Sequence, residues 1–467
     1  PYYERDLAAG RITRQEAKDL LGFLLALSDT RFGIRQGGAH VGTNTTVVIG
    51  GCDAAGAVVF NDVTRMILEL YDEERLVDPK LNARISRGHP AEYFDLLSRS
   101  MAAGGNSLCV FNDDVIIPAN VKMGKAVEDC RLYVGGGCQE NVLENTEVNS
   151  RATIYLNLLQ VFLMGFFPQG WRFLVERDGV RPATYDDAAT FDAFYDVFLR
   201  NLAAVHDAHV ARRNRSEKEG MRFNPCPLHS TLISDCIENA RDMMEGGARY
   251  NFGSVSLTGI GTLIDSLFAV RTAVYEKKRI SLAALRELLA ADFAGGEPIR
   301  QYLARRVPKF GQDDAAIREF SAKVFADVAR VASGQPNTRG GRYEASLFAF
   351  RSFTNFGEQT GETPDGRRAG WHLSQGMAPS GISLGQKCSV GQVLAALEPL
   401  DLALYPVVAV LDVKLPLARA RPGPEVLTPV IRRFLESGGS VLQVNCVDPS
   451  ALRAVVDSIW WIQGRHS

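Results

Sequence analysis

Cys138 and Glu140 are the residues of this chain whose types and spacing most readily do chemistry. They lie in "VGGGCQENVLEN" (134–145), where three glycines lead to the thiol and a carboxylate follows two residues later. Glycine has no Cβ to clash and reaches φ > 0 freely, so such a run lets backbone enter a crowded place. If Cys138–Gln139–Glu140 is extended, its side chains alternate: Cys138 and Glu140 face one side, and Gln139 faces the other as an anchor. A carboxylate raises the pKa of a neighbouring thiol and makes it a poor thiolate. No histidine stands near in sequence to act as base. The pair therefore suits a neutral S–H that exchanges hydrogen atoms while the carboxylate moves a proton, better than a papain-like nucleophile. The plain alternative is a buried cysteine on a tight turn beside a surface glutamate.

The elements that must position this loop alternate between helices and short strands. "TRQEAKDLLGFLLAL" (13–27) has the helical pattern, with Thr13 and Glu16 spaced as a capping box, and a helix is expected from Tyr2 to Leu27. "NTTVVIGG" (44–51) and "NSLCVFND" (106–113) have strand composition, and "NDVTRMILELYDEERL" (61–76) is helical. "SRATIYLNLLQVFLMG" (150–165) is expected to form one long apolar helix capped near Ser150. "GTLIDSLFAVRTAVYEKKR" (261–279) places Leu263, Leu267, Val270 and Val274 on one helix face. "YPVVAVLDVKL" (405–415) and "SVLQVNCV" (440–447) are near-continuous apolar strands of the kind buried on both faces. Buried strands separated by amphipathic helices define an α/β architecture. No repeat or low-complexity segment interrupts it. The glycine-rich stretches "GQPNTRGGRYEA" and "GEQTGETPDGRRAG" are expected to be ordered connections, and one large domain is favoured.

Composition narrows the function. A formal net charge of −2 over 467 residues gives no reason to expect a nucleic-acid or anionic-membrane partner. The basic run "ARRNRSEKEG" (211–220) is interleaved with Glu217 and Glu219 and is expected to be a solvated helix end. The most apolar piece, 152–167, carries Asn157 and Gln160, and no run is long enough to span a bilayer. The eight cysteines form no CxxC pair, which fits a reduced cytoplasmic protein without a zinc knuckle. The chain opens on Pro1 rather than on a signal peptide and is taken as an excerpt of a longer protein.

"GGGCQE" resembles the active-site cysteine loop of the glycyl radical enzymes, the family of pyruvate formate-lyase. Further segments resemble that family in the same order: "FNDDVIIPA" (111–119), "DCIENARDMMEGGARYNFG" (235–253), "FGQDD" (310–314), "PDGRRAG" (364–370) with "QGMAPSGI" (375–382), then "LDVKLP" and "LQVNCVD". The resemblance implies a ten-stranded α/β barrel of two half-barrels surrounded by helices, with the cysteine loop at its centre. It implies residues 1–467 as a single barrel domain, a core fragment lacking the family's N-terminal helical part. It implies no bound cofactor but a protein glycyl radical, installed by an S-adenosylmethionine and iron–sulfur activating enzyme, and a homodimer acting on a small-molecule substrate. Cys138 matches the thiyl position and Glu140 the general base. The radical glycine is expected shortly after "LQVNCVD", in an Arg-Val-x-Gly-Tyr context. The tail 448–467 is atypical there: Gly464 lacks those neighbours and is taken as a turn residue, and Trp460 and Trp461 match no family feature.

Gln139 stands where pyruvate formate-lyase resembles a second cysteine, which argues against acetyl transfer to coenzyme A. The Cys-x-Glu pattern resembles the eliminases, which break C–O, C–N or C–S bonds of small hydroxylated substrates. Alternatives are an arylacetate-type radical decarboxylase, a formate acetyltransferase-like reaction, an inactive homologue that serves as an assembly partner, and a thiol hydrolase. His229 and Ser230 are possible pocket residues but are set aside as a helix start; Arg249 and Tyr250 are assigned structural roles. Glu144 and Glu147 are expected at the surface or at a helix start.

Overall fold

The computed structural model describes residues 2–30, 45–76, 78–104, 107–136, 138–149, 154–386, 388–416 and 423–447. The tail with Trp460, Trp461 and Gly464 lies outside them, as does Ser150. The strands in chain order are β1 (Thr46–Gly50), β2 (Lys80–Ile85), β3 (Leu108–Asn112), β4 (Tyr133–Gly135), β5 (Asn141–Leu143), β6 (Glu147–Val148), β7 (Ile154–Asn157), β8 (Tyr250–Asn251), β9 (Gly253–Thr258), β10 (Tyr343–Ser346), β11 (Val410–Pro416) and β12 (Val441–Val447). One sheet runs β1-β2-β3-β12-β11 and a second runs β10-β9-β7. A parallel bridge from Leu347 to Ala409 links β10 to the start of β11.

Strands β1, β2 and β3 are mutually parallel, and β12 and β11 are parallel to each other. The pairs β10–β9 and β9–β7 are also parallel. The antiparallel seam is β3 against β12, with Val441 opposite Phe111 and Gln443 opposite Cys109. This is the half-barrel arrangement that the family resemblance implies, with eight of the ten strands in line and no closure among the described residues.

The period-two alternation of each strand decides what faces what. Leu81, Ala83 and Ile85 of β2, Leu108 and Val110 of β3, and Leu411 and Leu442 of the last two strands are buried in the main core. Helices Asp62–Glu74 and Ala91–Ala102 supply its outer layer through Leu68, Leu70, Phe94 and Leu97. Each such Leu or Ile contributes about 1.5–3 kcal/mol by leaving water. The alternate residues point to the opposite, inner face. One register row there is Gly50–Arg84–Phe111–Val441–Val410, and the next is Val48–Asn82–Cys109–Gln443–Asp412.

The N-terminal helix is broken, with Tyr2–Ala8 separate from Arg14–Thr30. Gly10 and the capping box explain the break: Glu16 accepts from the Thr13 backbone N–H at 2.8 Å, and Thr13 Oγ1 accepts from the Glu16 N–H at 3.2 Å. The long helix expected over 150–165 is corrected to strand β7 followed by a helix at Leu158–Met164. Pairing with β9 gives Ile154–Asn157 a ladder, and the Asn157 side chain accepts from the N–H groups of Leu159 and Gln160. Asn112 does the same at the end of β3, capping Asp113–Lys122. The 261–279 segment is a buried helix, Ile260–Val270, that widens into a π-helical turn at Arg271–Glu276. The basic run closes the helix Phe191–Phe223, but Glu217 within it is buried and accepts from Thr338 Oγ1 at 2.7 Å. The "GETPDGRRAG" connection is ordered around Arg367, whose buried guanidinium donates to the carbonyls of Gly357, Thr360 and Gly361.

Candidate active site

Strands β4 and β5 form a hairpin, with Tyr133 opposite Leu143 and Gly135 opposite Asn141. Its tip carries Cys138, closed by the Gly136 N–H donating to Glu140 O at 2.7 Å. The tip bends rather than continuing as an extended strand. This hairpin covers the inner face of the β1–β2–β3 wall.

Gly135 shows why side chains are absent on the way in. A Cβ there would fall 1.9 Å from Asn82 Nδ2 on β2 and 3.1 Å from the Phe111 ring on β3. The ascending strand is held by a buried ion pair, Arg84 to Asp113 at 2.8 Å. Tyr133 donates its hydroxyl to Asp113 at 2.6 Å, and its ring centroid lies 4.0 Å from the Arg84 guanidinium. The descending strand is held through Asn141. Its backbone N–H donates to Val407 O at 3.1 Å, and its amide donates to Pro406 O at 2.8 Å. Asn120 donates to Asn141 Oδ1 at 2.9 Å, and Lys125 donates to Asn120 Oδ1 at 2.7 Å.

Glu147 is not at the surface. It is buried, paired with Lys125 at 2.8 Å, and its other oxygen accepts the Leu143 N–H at 3.0 Å. The hairpin's return needs a buried acceptor, so this glutamate is structural; Glu144 is exposed as expected.

At the tip, Lys80 Nζ of β2 lies 3.7 Å from the Cys138 Sγ. Gln139 reaches the wall instead and donates to Cys109 Sγ of β3 at 3.6 Å. The Glu140 Oε2 accepts the Gln139 N–H at 3.2 Å. Burial pushes the Glu140 carboxyl up from its ordinary range, against the opposing pull of these backbone donors and of the Lys80 charge. The Tyr155 phenol of β7 is raised first by burial and then by the charges of Glu140 and Cys138. In the row beneath, burial raises Asp412 to about 6 and Cys109 to about 12. The thiol at the tip, rather than the one in the wall, has access to a ligand: Cys138 is half-buried and Cys109 is buried.

The remaining sequence candidates do not join this site. His229 is exposed, and Ser230 is spent on Cys226 O at 2.8 Å and Asp242 at 3.0 Å. Arg249 bridges Asp129 and Asp235, and Tyr250 donates to Asp129 at 2.9 Å, both structural contacts. Lys80, Tyr155 and Asp412 were not singled out from the sequence. The signal for Lys80 was present in "KLNARI" (80–85), where Lys80, Asn82 and Arg84 alternate with apolar residues. Tyr155 was hidden by the helix assigned over it.

An α/β wall of two opposed halves, with a glycine-led thiol hairpin laid against its inner face, is the arrangement that the resemblance to the glycyl radical enzymes implies. The pyruvate formate lyase-like family model matches residues 1–357, and the chain belongs to that family, among the glycyl radical enzymes. Trans-4-hydroxy-L-proline dehydratase of Clostridioides difficile is 28% identical over 389 residues, covering 81% of this chain and 49% of that protein. Isethionate sulfite-lyase of Desulfovibrio desulfuricans is 26% identical over 400 residues, covering 81% and 47% respectively. The crystal structure of a glycyl radical enzyme from Archaeoglobus fulgidus superposes with a TM-score of 0.85 at 25% identity, covering 98% of this chain and 59% of that one. The chain thus spans about half the length of the curated relatives it matches.

Proposed function

We propose that this chain is the core of a glycyl radical lyase that removes a β-leaving group from a small hydroxylated substrate, with Cys138 as hydrogen-atom carrier and Glu140 as base. The observation that carries the reading is the hairpin tip itself: it sets the Cys138 sulfur 3.7 Å from Lys80 Nζ of the inner wall, and the Glu140 carboxyl, raised by burial, follows two residues later on the same turn. A glycyl radical, installed by a separate activating enzyme, supplies the unpaired electron when present. The residues fit that chemistry, because a half-buried thiol beside a partly desolvated carboxylate can exchange hydrogen atoms without becoming a hydrolytic nucleophile.

In the reaction, Cys138 would first give up its S–H hydrogen atom to the glycyl radical; the resulting thiyl sulfur then takes a hydrogen atom from the substrate carbon bearing the hydroxyl, making an S–H bond and a carbon radical. Glu140 accepts the hydroxyl proton, which concentrates electron density next to the leaving group. That group departs with its bonding electron pair, leaving a carbonyl and a radical on the neighbouring carbon. Cys138 returns its hydrogen atom there. When the leaving group is hydroxide, the proton held by Glu140 completes water. Hydroxyproline dehydratase and isethionate sulfite-lyase, with water-type and sulfite leaving groups in their names, support elimination as the reaction class. All eight cysteines are free thiols, and no helix among the described residues is long and apolar enough to cross a membrane. The scattered free thiols favour a reduced cytoplasmic setting.

The test is anaerobic activation of the full-length protein and a screen of hydroxylated carboxylates, amines and sulfonates for carbonyl product. Cys138→Ser is expected to abolish turnover, and full activity in that variant contradicts the reading.

A further inference from the structure

We propose that Lys80 is the specificity residue of this site, holding an anionic substituent, carboxylate or sulfonate, next to the substrate carbon that meets the Cys138 sulfur. The proposal rests on Cys138 being the reacting thiol. Its geometric basis is the 3.7 Å separation of Lys80 Nζ from Cys138 Sγ. A reacting carbon sits about 3–3.5 Å from the sulfur in a productive complex. A carboxylate on that carbon, or a sulfonate on the carbon next to it, then falls within reach of the ammonium for a charge-assisted hydrogen bond of about 2.7–2.9 Å.

The surrounding charges favour the same assignment. The other cation of β2 that faces inward, Arg84, is committed to Asp113 in a fully buried pair. Lys80 stands two register rows beyond Arg84 on the same face, past Asn82, where side chains are only half-buried and a ligand can enter. Lys414 occupies the corresponding step beyond Asp412 on β11, so this end of the inner face carries positive charge from two strands.

Chemistry supplies a further reason. An ammonium beside a thiol favours the thiolate, whereas hydrogen-atom exchange needs the neutral S–H. An anion docked on Lys80 offsets that influence at the moment the substrate arrives. Substrate charge would thus both orient the reacting carbon and keep the thiol in its working form.

The test needs no radical and no turnover, so its failure leaves the hydrogen-carrier role of Cys138 untouched. The protein is alkylated with iodoacetate and, separately, with iodoacetamide, and the peptide containing Cys138 is quantified by mass spectrometry against that of Cys226. The rate ratio of anionic to neutral reagent cancels any change in thiol acidity. Lys80→Gln is expected to lower that ratio at Cys138 by about tenfold, equal to about 1.4 kcal/mol, and Lys80→Arg to retain it. A ratio unmoved by Lys80→Gln, or lost equally in Lys80→Arg, overturns the proposal. A second measurement uses the unaltered protein: 2,3-dihydroxypropanoate or 2-hydroxyethanesulfonate is expected to slow iodoacetamide labelling of Cys138 where glycerol does not. Protection by the first probe assigns a carboxylate and by the second a sulfonate. Protection by neither beyond that of glycerol overturns the proposal.

Discussion

At the scale of single residues, the proposed working parts of the site differ in how they are recognised. Cys138 and Glu140 were legible in the sequence because three glycines before a cysteine are hard to explain by packing alone. Lys80 was not, because a lysine at a strand start is ordinarily a solvated end, and only the hairpin brings a thiol 58 positions away to it. The base role carries a pH signature. Glu140 works when ionised, and burial raises its pKa, so the acid limb of the pH–rate profile is expected above the ordinary glutamate range. Lys80 pulls in the opposite direction, so Lys80→Gln is expected to move that limb to still higher pH, which a kcat/KM profile with an active substrate reads directly. Glu140→Gln is expected to leave the glycyl radical signal in electron paramagnetic resonance intact while slowing elimination about 10²–10⁴-fold. An unchanged rate would remove Glu140 from the mechanism.

At the scale of elements, the hairpin is a rigid finger whose approach is set by one glycine. Gly135→Ala forces a methyl into Asn82 and Phe111 and is expected to cost about 1–3 kcal/mol and to unseat the tip. The Asn82 amide has no hydrogen-bond partner among the described residues, so removing it releases space at little polar cost. Asn82→Ala combined with Gly135→Ala is therefore expected to melt higher than Gly135→Ala alone, a non-additivity that thermal denaturation of the four proteins reads. Part of the wall around the finger was legible, since β1, β3, β11 and β12 follow runs of apolar or β-branched residues, whereas β2, "KLNARI", was not read as a strand because its Lys, Asn and Arg alternate with only a short set of apolar residues. A further exception, β7, is instructive. "TIYLNLLQVFLM" is apolar enough for a helix throughout, and its division at Asn157 depends on a partner strand about a hundred residues away. Local periodicity contains no trace of that partner.

At the scale of the whole molecule, the order of motifs along the chain made the barrel legible, while the seam between its halves emerged only from the register of β3 against β12. A second buried feature ties distant segments together behind the barrel. Lys309 is fully buried and donates to Leu303 O and Val307 O at 2.6 and 2.8 Å. Asp265 and Asp365, buried beside it, are both raised by burial, Asp265 to about 7, while burial lowers Lys309. A carboxyl raised on folding stabilises the fold below its unfolded pKa, and that contribution is lost as pH rises through the folded value. For Asp265 the window runs from the ordinary aspartate range up to about 7. Lys309→Met removes the cation that helps these carboxylates ionise. It is expected to cost about 3–5 kcal/mol, more at pH 8 than at pH 5, where Asp265 already holds its proton. Melting curves at the two pH values check it; an equal loss at both would show that the cluster does not titrate as described.

The central claim is that one hydrogen atom travels from the hydroxyl-bearing carbon of the substrate to the neighbouring carbon by way of Cys138. The most direct measurement follows that atom. Activated full-length protein is given substrate deuterated at the hydroxyl-bearing carbon, and the product is analysed by mass spectrometry and nuclear magnetic resonance. The account predicts a primary isotope effect, deuterium lost from the original carbon, and its appearance at the former leaving-group carbon or in solvent through the exchangeable S–H. Deuterium retained where it began, with no isotope effect, would contradict it.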